Sequence, residues 1–166
     1  FNILGAANAR LGRPDEAVES FRRAVETAPH LPESHFNLAI ALKNRGDLPA
    51  AIESYLRAID LNPAYAEAHY NLGNALKAVD RPSAAIDSYR RAVAIKPGYA
   101  KAHHNLANTL RTAGETEAAL ESYACALRLQ PGVAEIHIDL GNALADLRRH
   151  DDAIACYAKA LEISPG

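Results

Sequence analysis

Residues 69–77 read HYNLGNALK, and variants of these nine letters recur at intervals of 34 residues. The other copies are HFNLAIALK at 35–43, HHNLANTLR at 103–111 and HIDLGNALA at 137–145. One motif repeated at a fixed spacing of this size is typical of proteins that stack copies of a small structural unit. The repeat therefore predicts the architecture before any single helix is considered.

The same 34-residue interval extends through the rest of the chain. Each copy has a leucine followed by a small residue, then an alanine–aromatic–alanine triplet, and finally a proline. The aromatic residues are Phe21, Tyr55, Tyr89, Tyr123 and Tyr157, and the prolines are Pro29, Pro63, Pro97, Pro131 and Pro165.

Each copy contains two amphipathic helical patterns. In 66–79, and again in 83–95, apolar residues recur at the three- and four-residue spacings of one helix face. A short turn separates the two patterns, and in three copies it holds a glycine, which suits a residue leaving a helix with positive φ. Asp80 and Arg148 hold that place in the other two copies, so we expect both to adopt a strained left-handed conformation.

In this register the chain resembles the tetratricopeptide repeat family over essentially its whole length. The leucine–small pair, the triplet and the closing proline match the family's motifs, although a histidine stands where the family often has a bulky aromatic. The resemblance implies an all-α fold, a right-handed superhelical solenoid of stacked antiparallel helix pairs with a concave groove. The predicted array spans 1–166, which we expect to be a fragment of a longer chain. Its units are a partial first repeat at 1–31 and repeats at 32–65, 66–99, 100–133 and 134–166.

Composition narrows the possible partners. The net charge is −2 and the pI is about 6.4, whereas nucleic-acid and anionic-membrane binders usually carry a basic excess. No apolar run approaches the roughly 20 residues of a membrane span, and two cysteines are too few for a disulfide-stapled scaffold. We therefore expect no nucleic-acid partner, no membrane partner and a cytoplasmic location.

The sequence offers no constellation for catalysis or metal binding. It contains no GxGxxG, Walker, GxSxG or HExxH motif. The repeating histidines occur once per repeat, so they should lie about 10 Å apart, whereas zinc ligands sit about 2 Å from the ion. We expect them to pack at the border of the apolar face, and we expect no enzyme activity, no cofactor and no metal in these residues.

Asparagine recurs on the first helix of the repeats although it is a mediocre helix former. On a helical wheel Asn71 and Asn74 are neighbours on the side away from the apolar face. Stacked repeats would line such residues into a ladder, which the resemblance places in the groove. A carboxamide donates and accepts, so it matches the N–H and C=O groups of a peptide backbone. The predicted groove residues are Asn37, Asn71, Asn74, Asn105, Asn108, Asp139 and Asn142, with Phe36, Tyr70, His104, Ile138, Lys43, Lys77 and Arg111 as neighbours that supply selectivity.

Three interpretations of the ladder stay open. The first is a non-catalytic protein–protein interaction module that binds an extended peptide or partner segment. The repeats also resemble those of O-linked N-acetylglucosamine transferase and its bacterial relatives, which implies a substrate-recruiting arm of a larger transferase. The third is an architectural spacer whose asparagines only solvate a helix face. A clamp for terminal carboxylates is disfavoured because Tyr70, Glu135 and Asp139 replace the basic residues that it needs.

The last repeat should present an apolar face. Ile154, Tyr157, Ala158 and Leu161 would face a further repeat, whereas solenoids normally end in polar capping units. We therefore expect end-to-end self-association through this uncapped last repeat, or a cap supplied from outside it.

Overall fold

The computed structural model describes residues 1–165, so Gly166, the last residue of the predicted repeat 134–166, lies outside the described residues. Residues 1–165 form ten α-helices and no strand, which confirms the predicted all-α class. The helices are α1 (Asn2–Arg10), α2 (Pro14–Thr27), α3 (Pro32–Arg45), α4 (Leu48–Leu61), α5 (Ala66–Ala78), α6 (Pro82–Ile95), α7 (Ala100–Thr112), α8 (Thr116–Leu129), α9 (Ala134–Asp146) and α10 (His150–Ile163).

The chain divides into two compact units, one ending at Ala84 and the other beginning at Ala85. In unit 1, each helix from α1 to α5 packs against the next one in sequence. In unit 2, the helices from α7 to α10 do the same. The first helices of adjacent repeats also touch, α1 with α3 in unit 1 and α7 with α9 in unit 2. This nearest-neighbour packing is characteristic of stacked helix pairs.

The repeated alanine–aromatic–alanine triplet forms the core. In unit 2, Ala119, Tyr123 and Ala126 are completely buried. Small residues let the helices approach closely, as Gly141 shows. A Cβ atom added there would lie 2.5 Å from Cε1 of Tyr157, so the backbone of α9 rests directly on that ring.

The turns between paired helices have the strained geometry that the sequence predicted. Gly12, Gly46 and Gly114 have φ values of 69°, 92° and 84°. Asp80 and Arg148, which lack the freedom of glycine, have φ values of 56° and 59°. The prediction of left-handed residues at these two positions is confirmed.

Replacing Arg148 with glycine should raise the free energy of unfolding by about 1 kcal/mol. The left-handed conformation costs a residue with a Cβ atom about 1–2 kcal/mol, and the greater flexibility of unfolded glycine offsets part of the gain. Urea unfolding followed by circular dichroism measures the change. The reverse substitution, Gly114→Ala, should lower stability, and two changes of the same sign would contradict the interpretation.

Candidate functional site

The candidate site is the face of the first helices that carries the asparagines, which we call the ladder face. It has two positions in each repeat, and all of their polar residues are half-buried. Ile3 and Ala6 of α1 also hold ladder positions, so the ladder face is apolar on that helix. The sequence pattern of asparagines did not predict these two positions, because neither of them is an asparagine. The first ladder position is Ile3, Asn37, Asn71, Asn105 and Asp139, and the second is Ala6, Ile40, Asn74, Asn108 and Asn142.

In unit 2 the second-position asparagines accept hydrogen bonds from the tyrosines of the triplet. The hydroxyl of Tyr157 donates to Oδ1 of Asn142 at 2.9 Å, and that of Tyr123 donates to Oδ1 of Asn108. Burial, together with the Asp139 carboxylate, raises the pKa of Tyr123 to about 12, so the phenol stays a neutral donor. A buried hydroxyl without a partner costs about 1–3 kcal/mol. These asparagines therefore stabilise the fold in addition to any role toward a ligand.

Unit 1 contains an exception at Tyr55. Its hydroxyl is completely buried and has no hydrogen-bond partner within residues 1–165. The equivalent of Asn108 in this repeat is Ile40, whose side chain cannot accept a hydrogen bond. Burial raises the pKa of Tyr55 far above its ordinary value, so the phenol stays neutral as well as unpaired.

Asp139 links the two first helices of unit 2. Nδ2 of Asn108 donates to its Oδ2 at 3.0 Å, and Nε2 of His104 lies 2.7 Å from the same oxygen. Since the ionised carboxylate can only accept, Nε2 of His104 carries the hydrogen. The side chains of His104 and Asp139 are 13% and 20% exposed, so this contact is largely shielded from water. Asp139, whose carboxylate cannot donate a hydrogen bond, is therefore paired with side chains of α7.

A second link joins α7 to α9. Nη1 of Arg111 donates to Oδ2 of Asp146 at 3.1 Å, and this hydrogen bond raises the pKa of Arg111. The Arg111 Nε atom is buried and has no partner within the described part of the chain. The polar side chains of the unit 2 ladder face are thus largely bonded to one another, which leaves few of them available to a ligand.

The ladder face of unit 1 is less bonded. Nδ2 of Asn71 donates to the backbone carbonyl of Glu67 at 2.8 Å, one turn earlier on the same helix. The side chain of Asn37 has no hydrogen-bond partner in residues 1–165, and neither Lys43 nor Lys77 forms an ion pair there. The amide of Asn37 and Oδ1 of Asn71 are therefore open within residues 1–165. Tyr70, Asn74 and Asn105, also predicted for the groove, are half-buried.

The four repeating histidines bind backbone. Each Nε2 lies 2.9–3.1 Å from the carbonyl oxygen of the proline that closes the preceding repeat, six residues earlier. A carbonyl only accepts, so Nε2–H donates and ties the proline turn to the next first helix. The histidines are His35, His69, His103 and His137.

Within residues 1–165, no three His, Cys, Asp or Glu side chains are grouped so that they could hold a metal ion. Over the same range, no helix is both long and apolar enough to cross a membrane. Cys125 and Cys156 are both free thiols, and burial raises the pKa of Cys156.

Comparison with known families agrees with the helix pairs and the buried triplet. A model described as tetratricopeptide repeat matches residues 1–32 and 104–166, which is more than half of the chain. The chain belongs to the tetratricopeptide repeat family. A second tetratricopeptide repeat model matches residues 66–99, and a model described as TPR repeat matches 41–79. These assignments confirm the family that the sequence motifs predicted.

Solved structures confirm the predicted solenoid of this tetratricopeptide repeat protein. A crystal structure of MamA has a TM-score of 0.93 at 29% identity and covers 98% of this chain and 95% of that chain. A thermophilic TPR protein from Thermus thermophilus has a TM-score of 0.71 at 28% identity, covering 99% and 90%. YrrB, described as a TPR protein with an unusual peptide-binding site, shares the fold at 19% identity and a TM-score of 0.85, covering 97% and 83%. No curated protein sequence matches the chain.

Proposed function

We propose that this protein is an interaction module that holds an extended peptide against the ladder face of its first helices. The observation that carries the proposal lies on α3 and α5. Both polar groups of the Asn37 amide, and Oδ1 of Asn71, have no hydrogen-bond partner within residues 1–165. These amide atoms reach the surface, where a peptide backbone supplies both the donor and the acceptor that they lack.

The dimensions of a peptide suit this role. Neighbouring first helices should lie about 10 Å apart, and an extended peptide advances about 3.3 Å per residue. One ladder position would therefore contact about every third residue of the bound peptide. Contacts to backbone groups are largely indifferent to the guest's side chains, so a range of partners can share the same face.

Solvation alone explains the asparagines less well. Glutamate, lysine and glutamine would hydrate a helix face equally well, and they are better helix formers than asparagine. The ladder asparagines are half-buried instead, and those of unit 2 use their carbonyl oxygens to satisfy tyrosine hydroxyls. In unit 2 the asparagines at the second ladder position therefore support the fold.

Replacing Asn37 and Asn71 together with alanine should weaken peptide binding about 10- to 100-fold, since each lost amide contact is worth about 1 kcal/mol. Peptides selected from a random phage library on the immobilised protein provide the probe, and fluorescence anisotropy measures their affinity. Neither substitution removes the partner of a buried tyrosine, so the thermal midpoint should change little. The control Glu53→Ala with Arg57→Ala lies on α4, outside the ladder face. Unchanged affinity of the Asn37/Asn71 variant would refute the proposal.

A second candidate function uses the same face. A transferase domain encoded outside residues 1–166 would employ the module to recruit protein substrates. The feature that favours this function is asparagine at the first ladder position in Asn37, Asn71 and Asn105, as in the repeats of the resembling transferases. The sequence flanking residues 1–166 discriminates between the two functions, because only the second requires a catalytic domain.

We also propose that residues 1–166 associate end to end, with α10 of one copy contacting α1 of a second copy. In unit 2, α9 covers α8, whose Leu120 and Leu127 are half-buried. The equivalent residues of α10, Ile154 and Leu161, are each 64% exposed, and Leu4 on α1 is 54% exposed. Laying α1 of one copy on α10 of another would reproduce the contact that α9 makes with α8. Such a head-to-tail contact propagates into chains unless it closes into a ring.

The variant Ile154→Glu with Leu161→Glu should therefore abolish association. Light scattering during size-exclusion chromatography should show a wild-type mass that rises with concentration and a variant mass that stays at the monomer value. The control Lys159→Ala changes an exposed residue on a different side of α10 from Ile154 and Leu161, and it should behave as the wild type does. A wild-type protein that is monomeric at every concentration would exclude this contact.

A further inference from the structure

An aromatic pair borders the ladder face of unit 1. The rings of Phe36, on α3, and Tyr65, the residue before α5, have centroids 4.8 Å apart, and both residues are half-buried. Phe36 lies one helical turn before the second ladder position, Ile40, and therefore on the same side of α3. In unit 2, Nε2 of the equivalent residue, His104, lies 3.2 Å from Nδ2 of the ladder residue Asn108.

The turn before Tyr65 recurs in unit 2 with a cation over its tyrosine. Tyr99 is the equivalent of Tyr65, 34 residues later. The N–H of Tyr65 and that of Tyr99 each donate to the carbonyl oxygen three residues earlier, at 3.1 and 3.0 Å. In unit 2 that earlier residue is Lys96, whose Nζ lies 4.9 Å from the centroid of the Tyr99 ring. A cation at this distance over an aromatic face is attracted by the ring.

Unit 1 has the ring without the cation. The place of Lys96 is held by Asn62, which carries no charge. Oδ1 of Asn62 accepts a hydrogen bond from the backbone N–H of Ala64 at 3.1 Å, so this side chain is folded onto the turn. No lysine or arginine lies over the Tyr65 ring within residues 1–165.

Two carboxylates act on Tyr65. Burial raises the pKa of its phenol, and the carboxylates of Glu33 and Glu67 raise this pKa further. Glu33 is exposed and forms no ion pair among the described residues. Lys43 and Lys77 follow the two glutamates by ten residues on the same helices, which is about 15 Å and beyond the screening length of about 8 Å. Charge complementarity beside Tyr65 therefore favours a cation.

Helix stability explains only part of this arrangement. Glu33 and Glu67 stand in the first turns of α3 and α5, where negative charge is favourable. The ring has no such explanation, because Leu31 and Val133 hold the equivalent position before α3 and α9. An aromatic residue is therefore not needed to begin the helix.

We propose that the Tyr65 ring and the Glu33 carboxylate bind an arginine side chain of the peptide held on the ladder face. The guanidinium lies over Tyr65 as Lys96 lies over Tyr99, and it pairs with Glu33. Arginine suits this site better than lysine, because its planar group stacks on aromatic faces. This inference rests on the proposed function and specifies the class of peptide that unit 1 selects.

Three fluorescein-labelled dodecapeptides test the inference by fluorescence anisotropy. They are identical except at three central positions, which are arginine, citrulline or glutamate. Citrulline has nearly the shape of arginine without its charge. The arginine peptide should bind about fivefold or more tightly than the citrulline peptide, and the glutamate peptide should bind most weakly. Equal affinities for the arginine and citrulline peptides would overturn the inference.

Two substitutions remove the charge complementarity. Glu33→Gln should weaken the arginine peptide about threefold. Asn62→Lys installs the residue of unit 2, so the protein's own cation should occupy the ring and weaken the arginine peptide about fivefold. The citrulline peptide should stay within about twofold in both variants. Unchanged affinity for the arginine peptide in either variant, or an equal loss for both peptides, would overturn the inference.

The ring is tested separately. Tyr65→Leu should weaken the arginine peptide about threefold or more, and Tyr65→Phe, which restores the aromatic face, should recover most of that loss. Leucine already stands at the equivalent position before α3, so Tyr65→Leu should fold, and circular dichroism checks its thermal midpoint. Equal affinities of the two variants for the arginine peptide would overturn the inference.

The matched control is Asn44→Lys, which adds the same charge at an exposed position of α3. It lies eleven residues after Glu33, about 16 Å along the helix, so screening should keep the affinity within about twofold of wild type. A loss equal to that of Asn62→Lys would show non-specific repulsion and overturn the inference.

The same measurements separate this inference from the proposed function. If library peptides respond to Asn37→Ala with Asn71→Ala while the arginine and citrulline peptides bind equally, the proposed function stands and this inference fails. If no library or designed peptide binds, both fail.

Discussion

Replacing Asn108 with isoleucine should lower the free energy of unfolding by about 2–3 kcal/mol. The substitution removes the acceptor of the buried Tyr123 hydroxyl and one of the donors to Asp139. It also recreates the arrangement that Ile40 and Tyr55 have in unit 1. Urea denaturation of residues 1–166, followed by circular dichroism, measures the loss.

A double-mutant cycle identifies the cause. Tyr123→Phe alone should cost about 1 kcal/mol, because it removes one hydrogen bond from Asn108. In the Asn108→Ile background the same change should recover about 1–2 kcal/mol, because it removes the hydroxyl that has lost its partner. If the two single changes simply add, the hydrogen bond does not account for the asparagine.

Replacing Tyr55 with phenylalanine should raise the free energy of unfolding by about 1–2 kcal/mol, opposite in sign to Tyr123→Phe. The Tyr55 hydroxyl is buried without a partner, so its removal relieves an uncompensated desolvation cost. The ring itself stays and keeps the packing of the core. Thermal and urea unfolding of the two variants measured side by side give the sign directly.

Ile40→Asn should stabilise the protein for the same reason, by supplying an acceptor to Tyr55 from the position that Asn108 holds relative to Tyr123. The gains from Ile40→Asn and Tyr55→Phe should not add, because both relieve the same unpaired hydroxyl. Loss of stability in Tyr55→Phe as large as in Tyr123→Phe would show that the two hydroxyls have equivalent environments.

The repeat spacing is sufficient to predict most of the fold. Turn positions, helix pairs and the buried triplet all follow from the 34-residue interval, because each is a local feature copied with its neighbours. Even the left-handed residues at Asp80 and Arg148 could be read from the glycines at equivalent positions. The wheel also predicts which asparagines share one helix face, since that depends only on helix geometry.

The bonding of those asparagines required the tertiary structure. Asn108 accepts from Tyr123 on the following helix and donates to Asp139 on the next repeat. Asp139 in turn contacts His104, 35 residues earlier. A helical wheel gives the directions of side chains around one helix axis. It does not show which side chains of two packed helices contact each other.

The sequence by itself determined where the helices and turns lie, because repetition and amphipathic spacing are local properties of the chain. Only the packing of helix on helix decided which ladder residues are internally bonded and which are open. It is this packing that leaves the Tyr55 hydroxyl and the amide of Asn37 without hydrogen-bond partners among residues 1–165.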